Sequence, residues 1–238
     1  MNIETKISSD PSAVAHQFAN DFAAWVEQAS GDFHVALSGG STPQLLFSIW
    51  AGDDSPSTDW SKVHFYWGDE RCVPPTDAES NFGVTNELFF SRVGISQSNI
   101  HRVLGESASD SEAIRYAKCI SDSVPVVNGL PKFDLVILGM GGDGHTASIF
   151  PHQMELMSDS RVCAVATHPE SGQKRITLTG PVISNAARIS FLINGSSKVE
   201  KFRGIVAGSE ESSQWPATTF FQLDQTVIYA DEAATGVK

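Results

Sequence analysis

Apolar residues recur along this chain in two alternating patterns, one with helical spacing and one continuous. The first pattern is helical and lies between Asp10-Pro11 and Gly31, where apolar side chains recur every three or four residues: Val14, Phe18, Phe22, Trp25, Val26 and Ala29. Asp10 suits the N-cap position and Pro11 the first helical position. The spacing therefore predicts a helix that begins after Asp10 and that Gly31 ends.

The second pattern consists of short apolar runs, which are typical of buried strands. It predicts strands at residues 33–37, 63–67, 133–138, 162–166, 176–178, 189–193 and 227–229. Helices are predicted from about Pro43 and at residues 86–90, 112–120 and 198–206. Strands that alternate with helices favour an α/β fold, here a Rossmann-like, mostly parallel sheet with helices on both faces. No repeat or linker divides the chain, so residues 1–238 are predicted to form a single domain.

Composition narrows the possible partners. The 238 residues carry a formal net charge of −12 at pH 7, which argues against a general binder of nucleic acid or of anionic membranes. The cysteines are odd in number and far apart, which excludes a disulfide framework and favours a reducing, cytoplasmic setting. The first residues lack a signal-peptide pattern, and no apolar run approaches the length of a membrane span. We therefore expect a cytoplasmic protein whose partner is a small molecule.

Ligands of such sheets bind beyond the carboxyl ends of the strands, so the turns that follow strands carry the candidate chemistry. The turn after the 33–37 strand contains Ser38, Gly39, Gly40, Ser41, Thr42 and Pro43. Its glycines permit a tight turn whose N–H groups, with the dipole of the next helix, favour an anion such as a phosphate. The alternative is an ordinary turn in which Ser41 or Thr42 caps the helix. The turn lacks the Gly-Lys-Ser/Thr ending of a nucleotide-binding P-loop.

The turn after the 133–138 strand is glycine-rich and contains a histidine. Gly139, Gly141 and Gly144 match the spacing of a dinucleotide-binding loop, but Pro151 interrupts the helix that such a loop requires, and no acidic residue closes the next strand. Asp143 and His145 lie two residues apart in this loop. Histidine side chains titrate near neutrality, so we interpret His145 as a candidate general base held beside an aspartate.

Two further turns contribute cations. Arg71, in Gly68-Asp69-Glu70-Arg71, could bind an oxyanion through two parallel hydrogen bonds; the alternative is a surface ion pair with Asp69 or Glu70. Lys198 follows the 189–193 strand at a helix start, where the alternative is a solvated lysine. The sequence contains neither a serine-nucleophile elbow nor a clustered His/Cys metal motif, so a hydrolase of this kind would activate water with a base.

Taken in order, these segments resemble the 6-phosphogluconolactonase family. The resemblance runs from Ser38 to Lys198 and includes Ser80-Asn81-Phe82-Gly83, Asp143 to Ser148 and Arg175 to Thr179. It implies the Rossmann-like α/β fold shared with glucosamine-6-phosphate deaminase, no cofactor or metal, and hydrolysis of 6-phospho-D-glucono-1,5-lactone. It also implies a partner that is a phosphorylated sugar lactone, and a monomer or weak homo-oligomer.

The resemblance also implies roles for individual residues. His145 corresponds to the family's catalytic base, Arg71 and Lys198 to its phosphate-binding cations, and residues 38–42 to a turn that lines the substrate site. The remaining candidates match motif positions whose roles are open: Asp69, Asn81, Asp143 and Arg175. The chain departs from the family pattern at Ser171-Gly172, where many members have prolines, and at Ser197, where an acidic residue often precedes the lysine.

Two rival functions remain open. Amino-sugar-6-phosphate deaminases share the phosphate chemistry, but their Asp-Gly-His loop continues toward an Asn-Glu pair, whereas this chain continues Thr146-Ala147-Ser148. A sugar-phosphate sensor domain of a transcription regulator would bind without catalysis. Such regulators carry an N-terminal helix-turn-helix, whereas the stretch before the 33–37 strand is predicted to hold one helix.

Overall fold

The computed structural model describes residues 3–237, and its main element is a six-stranded sheet whose described pairings are all parallel. The strands of the structure are β1 Glu4–Ser8, β2 Phe33–Leu37, β3 Val63–Trp67, β4 Asp69–Arg71, β5 Val126–Val127, β6 Leu130–Pro131, β7 Leu135–Leu138, β8 Cys163–Thr167, β9 Lys174–Leu178, β10 Ile189–Ile193 and β11 Thr226–Asp231. The large sheet has the order β1-β11-β10-β7-β2-β3. Every one of its strands therefore ends at the same edge.

At least one helix lies between each two successive strands of the large sheet, as the pattern predicts. The helices are α1 Pro11–Gln28, α2 Ser41–Trp50, α3 Asn81–Thr85, α4 Ser91–Val93, α5 Ser109–Ser123, α6 Gly180–Ser184, α7 Val199–Ala207, α8 Pro216–Phe221 and α9 Glu232–Thr235. Residues Asn86–Phe90 form a π-helical segment, and short 3₁₀ turns occupy Trp60–Lys62, Gln97–Asn99, Pro151–Met157, Ser196–Lys198 and Glu210–Gln214. No helix within residues 3–237 is both long enough and apolar enough to cross a membrane.

Helices cover both faces of the large sheet. Phe18 of α1 meets Tyr229 of β11 edge-on, with ring centroids 5.1 Å apart. On β10, Leu192 is the residue paired with Tyr229, so the neighbouring Phe191 points to the opposite face. Phe191 packs there against Phe221 of α8, with ring centroids 4.6 Å apart. The predicted fold class, a mostly parallel sheet with helices on both faces, is confirmed.

Several boundaries differ from the sequence predictions. The first strand is β1, which lies before α1 and pairs with β11, so a strand and a helix, not one helix, precede β2. The helix α1 ends at Gln28 rather than near Gly31, although Asp10 caps it as expected: its side chain accepts a hydrogen bond from the Ala13 N–H. No side chain caps α2, whose N-cap is Gly40, so the alternative in which Ser41 or Thr42 caps this helix is wrong.

The predicted strands at 162–166 and 176–178 exist but belong to a second sheet. This sheet is antiparallel with the order β4-β9-β8, and it includes β4, which the apolar pattern did not predict. Strand β4 begins two residues after the end of β3, and Gly68 between them donates its N–H to the carbonyl of Leu37. The small sheet therefore lies beside the carboxyl edge of the large one and faces its turns.

Candidate active site

A cavity of about 350 Å³ lies at the carboxyl edge of the large sheet. All four turns singled out in the sequence contribute to it, together with Arg175 on β9. Its lining residues are Ser38, Gly39, Gly40, Asp69, Arg71, Asn81, Gly139, Met140, Gly141, Gly142, His145, Ala147, Arg175 and Lys198. The parallel strands explain this convergence, because turns that are far apart in the chain follow strands that end side by side.

Three of the residues predicted for the site lie outside this lining. Ser41 is exposed on the first turn of α2, and Thr42 is buried, where its hydroxyl accepts a hydrogen bond from the Asn194 side chain at 3.1 Å. Asp143 lies behind His145 and contacts it directly. The uncapped start of α2 leaves backbone N–H groups without partners inside the helix, and these are the groups of the first turn that could bind an anion.

His145 and Asp143 form a hydrogen-bonded pair. The Nδ1 atom of His145 is 2.6 Å from Oδ1 of Asp143, and the backbone N–H of His145 donates to the same oxygen at 3.1 Å. Burial alone would raise the pKa of the Asp143 carboxyl, but the hydrogen bond and charge of His145 outweigh this and hold that pKa at about 2. The carboxylate is therefore ionised at neutral pH. In the neutral imidazole this contact favours the tautomer with the proton on Nδ1, in which Nε2 is the acceptor.

The loop that carries this pair is held in a compact turn. Gly144 has a φ of 85°, and a Cβ added there would lie 2.5 Å from the Cβ of Trp215. The Gly144 carbonyl accepts a hydrogen bond from Ala217 N–H, and the Gly141 N–H donates to the His145 carbonyl at 2.8 Å. These contacts place the loop against α8 and fix where the imidazole stands.

The ring of Phe150 supports the His145 side chain from within the protein. Phe150 is fully buried, and its centroid lies 4.8 Å from that of His145. On the same ring, the guanidinium of Arg175 lies 5.7 Å from the centroid, within the range of a cation–π contact. Phe150 thus contacts both the imidazole and one of the cations of the cavity.

Three cationic side chains line the cavity. Arg71 and Arg175 are directly opposite each other in the pairing of β4 with β9, and Lys198 ends the 3₁₀ turn after β10. The Nε atoms of both arginines are buried and have no hydrogen-bond partner among the described residues. Burial lowers the pKa of Arg175, and the nearby charge of Arg71 lowers it further, against the attraction of Asp69.

The surface ion pair considered for Arg71 is not formed within residues 3–237. Its guanidinium donates instead to the backbone carbonyl of Glu79. Asp69, one of the two acids considered, accepts a hydrogen bond from the Ser148 hydroxyl at 2.6 Å, and Arg175 Nη1 lies 3.5 Å from the same hydroxyl. The cations therefore keep their charge available to a ligand in the cavity.

Comparison with known proteins shows which family the chain belongs to. Residues 9–229 match the family model described as glucosamine-6-phosphate isomerases/6-phosphogluconolactonase. The chain belongs to this family. It is 44% identical over 178 residues to a 6-phosphogluconolactonase of Treponema pallidum (75% of this chain, 74% of that protein). It is 41% identical over 220 residues to that of Haemophilus influenzae (92% of each chain). A solved 6-phosphogluconolactonase of Trypanosoma cruzi superposes with a TM-score of 0.85 at 25% identity, covering 99% of this chain and 96% of the other.

In this member of the glucosamine-6-phosphate isomerase/6-phosphogluconolactonase family, some site residues lie beyond the sequence predictions. Met140, Ala147 and three further glycines line the cavity, and Ser148 and Glu70 bond to the residues that do. Ser148 and Glu70 both stand inside the motifs that carried the family resemblance, which was the available signal. No group of three or more His, Cys, Asp or Glu side chains suited to a metal ion occurs in the described part of the chain.

Proposed function

We propose that this chain hydrolyses 6-phospho-D-glucono-1,5-lactone to 6-phospho-D-gluconate in the pentose phosphate pathway. The observation that carries the proposal is the Asp143–His145 pair, in which the carboxylate contacts Nδ1 of the imidazole, at the wall of a cavity that also contains Arg71, Arg175 and Lys198. A general base and a group of cations are what hydrolysis of a phosphorylated lactone requires. Relatives named 6-phosphogluconolactonase support the same assignment.

In the proposed reaction, Nε2 of His145 takes a proton from a water molecule. The oxygen of that water forms a bond to the lactone carbonyl carbon and gives a tetrahedral alkoxide. When the alkoxide collapses, the bond from this carbon to the ring oxygen breaks, and the imidazolium returns its proton to the ring oxygen. The carboxylate of Asp143 stabilises the imidazolium between these steps, and positioned base catalysis of this kind contributes roughly 10²–10⁴-fold.

The phosphate is assigned to Arg71, Lys198 and the backbone N–H groups at the start of α2. Guanidinium and ammonium groups together with a helix N-terminus are suited to a dianion. Holding the phosphate away from the reacting carbon fixes the lactone relative to His145, so binding energy is used for orientation. The net charge of −12 makes such a confined site necessary, because the protein as a whole repels anions.

The deaminase alternative is disfavoured by the loop that follows His145. Where deaminases continue toward an Asn-Glu pair, Thr146 donates its hydroxyl to the Gly139 carbonyl, and Ala147 lines the cavity with a methyl group. This stretch supplies no carboxylate for proton transfer during ring opening. Release of ammonia from glucosamine 6-phosphate would reverse the choice, and binding of 6-phosphogluconate without lactone turnover would favour the sensor-domain alternative.

The test is an assay of lactone hydrolysis, corrected for the spontaneous reaction. His145→Ala is expected to lower kcat by roughly 10²-fold or more while substrate still binds. Arg71→Ala and Lys198→Ala are expected to raise KM. His16→Ala, at an exposed position on α1, is the matched control and should leave both constants unchanged. A wild-type rate equal to the uncatalysed rate would refute the function, and an unchanged kcat in folded His145→Ala would remove its role as base.

The proposal extends to how the protein exists in the cell. We propose a single domain over residues 1–238 that acts in the cytoplasm as a monomer or weak homo-oligomer. The three free cysteines, Cys72, Cys119 and Cys163, suit a reducing compartment. Light scattering after gel filtration measures the oligomeric state directly, and a stable tetramer would contradict this part of the proposal.

A further inference from the structure

The carboxylate of Glu70 is buried beneath the cavity. The residue is 1% exposed, and its side chain belongs to β4, between Asp69 and Arg71. No salt bridge within residues 3–237 involves Glu70, whose carboxylate is surrounded by hydrogen-bond donors instead. Burial raises the pKa of this carboxyl, and its hydrogen bonds to backbone N–H groups oppose the rise.

Four donors converge on the two oxygens of this carboxylate. Oε1 accepts hydrogen bonds from the backbone N–H groups of Arg71 and Asn81, both at 2.8 Å. Oε2 accepts one from the N–H of Phe82 at 2.7 Å and one from the hydroxyl of Ser80 at 3.2 Å. The side chain thus joins strand β4 to the N-cap and the first two residues of α3, which are ten to twelve positions further along the chain.

Two of the residues tied together in this way line the cavity. Arg71 supplies a guanidinium, and Asn81 supplies a side-chain amide whose NH₂ group donates to the Asp69 carbonyl at 2.8 Å. The amide oxygen of Asn81 is then packed against Gly39, where any added Cβ would collide with it. The positions of this amide and of the Arg71 guanidinium depend on the backbone that the Glu70 hydrogen bonds hold in place.

We propose that Glu70 is a positioning residue for substrate binding, which sets Arg71 and Asn81 in the cavity by bonding their backbone N–H groups. This inference rests on the proposed function for the identity of the substrate. A carboxylate is required because each of its oxygens accepts two donors. In glutamine only one oxygen remains, and the NH₂ group faces the N–H of Phe82, so a buried donor is left unpaired.

The test is Glu70→Gln, which preserves the size of the side chain. KM for the lactone is expected to rise roughly tenfold, and kcat to stay within about twofold, because Glu70 contacts residues that hold the substrate and not His145. Ile189→Val and Ile189→Ala serve as controls, since Ile189 is fully buried at the opposite, amino end of β10. They lower stability by different amounts, and both should leave KM unchanged.

Two outcomes would overturn the inference. One is a KM in Glu70→Gln equal to that of the wild type; the other is a rise in KM in the Ile189 variants that follows their loss of stability in the same proportion. Calorimetric binding of 6-phosphogluconate provides a readout that does not depend on turnover. If the wild-type protein binds this compound but does not hydrolyse the lactone, the proposed function fails, and weaker binding by Glu70→Gln still supports the role of Glu70.

Discussion

Substitution of Asp143 separates the two contributions that this carboxylate makes to His145. Both the backbone N–H and the Nδ1–H of His145 donate to the single oxygen Oδ1. In Asp143→Asn, the amide oxygen can occupy that position, because the backbone N–H holds it there. The imidazole then keeps its orientation and its tautomer and loses only the negative charge beside it. Asp143→Ala removes the charge and the orientation together.

The size of the charge contribution can be worked from the geometry. A hydrogen bond to a charged group stabilises by about 1.5–3 kcal/mol, whereas a neutral one contributes about 0.5–1.5 kcal/mol. The side chain of Asp143 is 42% exposed, so solvent screening reduces the difference toward its lower end, about 1 kcal/mol. We therefore expect kcat to fall about fivefold to tenfold in Asp143→Asn. Asp143→Ala should fall by roughly 10²-fold or more, because it loses the positioned base.

The assay is lactone hydrolysis at neutral pH, with the spontaneous rate subtracted and KM measured in parallel. KM should change little in either variant, since Asp143 lies outside the lining of the cavity. Equal losses in the two variants would refute the reasoning that one oxygen receives both donors. A wild-type kcat in Asp143→Ala would refute the catalytic role of the pair altogether.

Three further predictions concern stability and binding. Gly144→Ala should lower the unfolding free energy by roughly 1–3 kcal/mol and reduce kcat, because Gly144 has a positive φ and its new Cβ would meet Trp215. Thermal melts measure the loss of stability, and the lactone assay measures kcat. Gly39→Ala should raise KM by displacing the amide of Asn81, as a substrate titration would show. Burial, followed by the charges of neighbouring histidines, lowers the pKa of His101 to about 4. The unfolded chain protonates this histidine near pH 6.5, so the unfolding free energy should fall by up to about 1.4 kcal/mol per pH unit as the pH is lowered from about 6.5 to 4. Urea titrations across this range should show a shallower fall in His101→Phe than in the wild type.

Gly31→Ala is the control for both glycine variants. Gly31 does not have a positive φ, and a Cβ added there meets no atom within 4 Å. Its stability and KM should match the wild type. Comparable losses at Gly31 would show that the contacts with Trp215 and Asn81 do not explain the other two variants. For His101, equal pH dependence in wild type and variant would contradict the assignment.

The parts of this fold that the sequence predicts are those encoded in local spacing. Strands β2, β7 and β10 are buried along their whole length, and β3 is buried at every position except His64, so each appears as a short, mostly apolar run. Strand β1 lies at the sheet edge with partly exposed residues, and its sequence, Glu-Thr-Lys-Ile-Ser, contains no such run. The antiparallel pairing of β8 and β9 depends on partners elsewhere in the chain, which a local pattern does not contain.

The same distinction applies to the site. The proximity of Asp143 and His145 could be predicted because they lie two positions apart and the glycines around them permit a tight turn. The bond from Ser148 to Asp69 joins residues 79 positions apart, and the bonds of Glu70 reach α3 across a loop. The alternative in which Ser41 or Thr42 caps α2 is wrong because the N-cap position is Gly40, which has a φ of 108° and no side chain to accept a hydrogen bond.

The pairing of β4 with β9 places Arg71 directly opposite Arg175, and this has a consequence for folding as well as for binding. Like charges on directly opposed residues destabilise a strand pair, so the small sheet carries a repulsion that its own residues relieve only in part. Arg71 is one of the cations assigned to the phosphate, and a dianion bound to it would offset that repulsion. Ligand binding and the stability of β4 and β9 are then thermodynamically linked: occupancy should slow amide exchange in these strands and raise the unfolding temperature in proportion to the logarithm of ligand concentration. Relief of the repulsion between Arg71 and Arg175 would thus contribute to the free energy of phosphate binding.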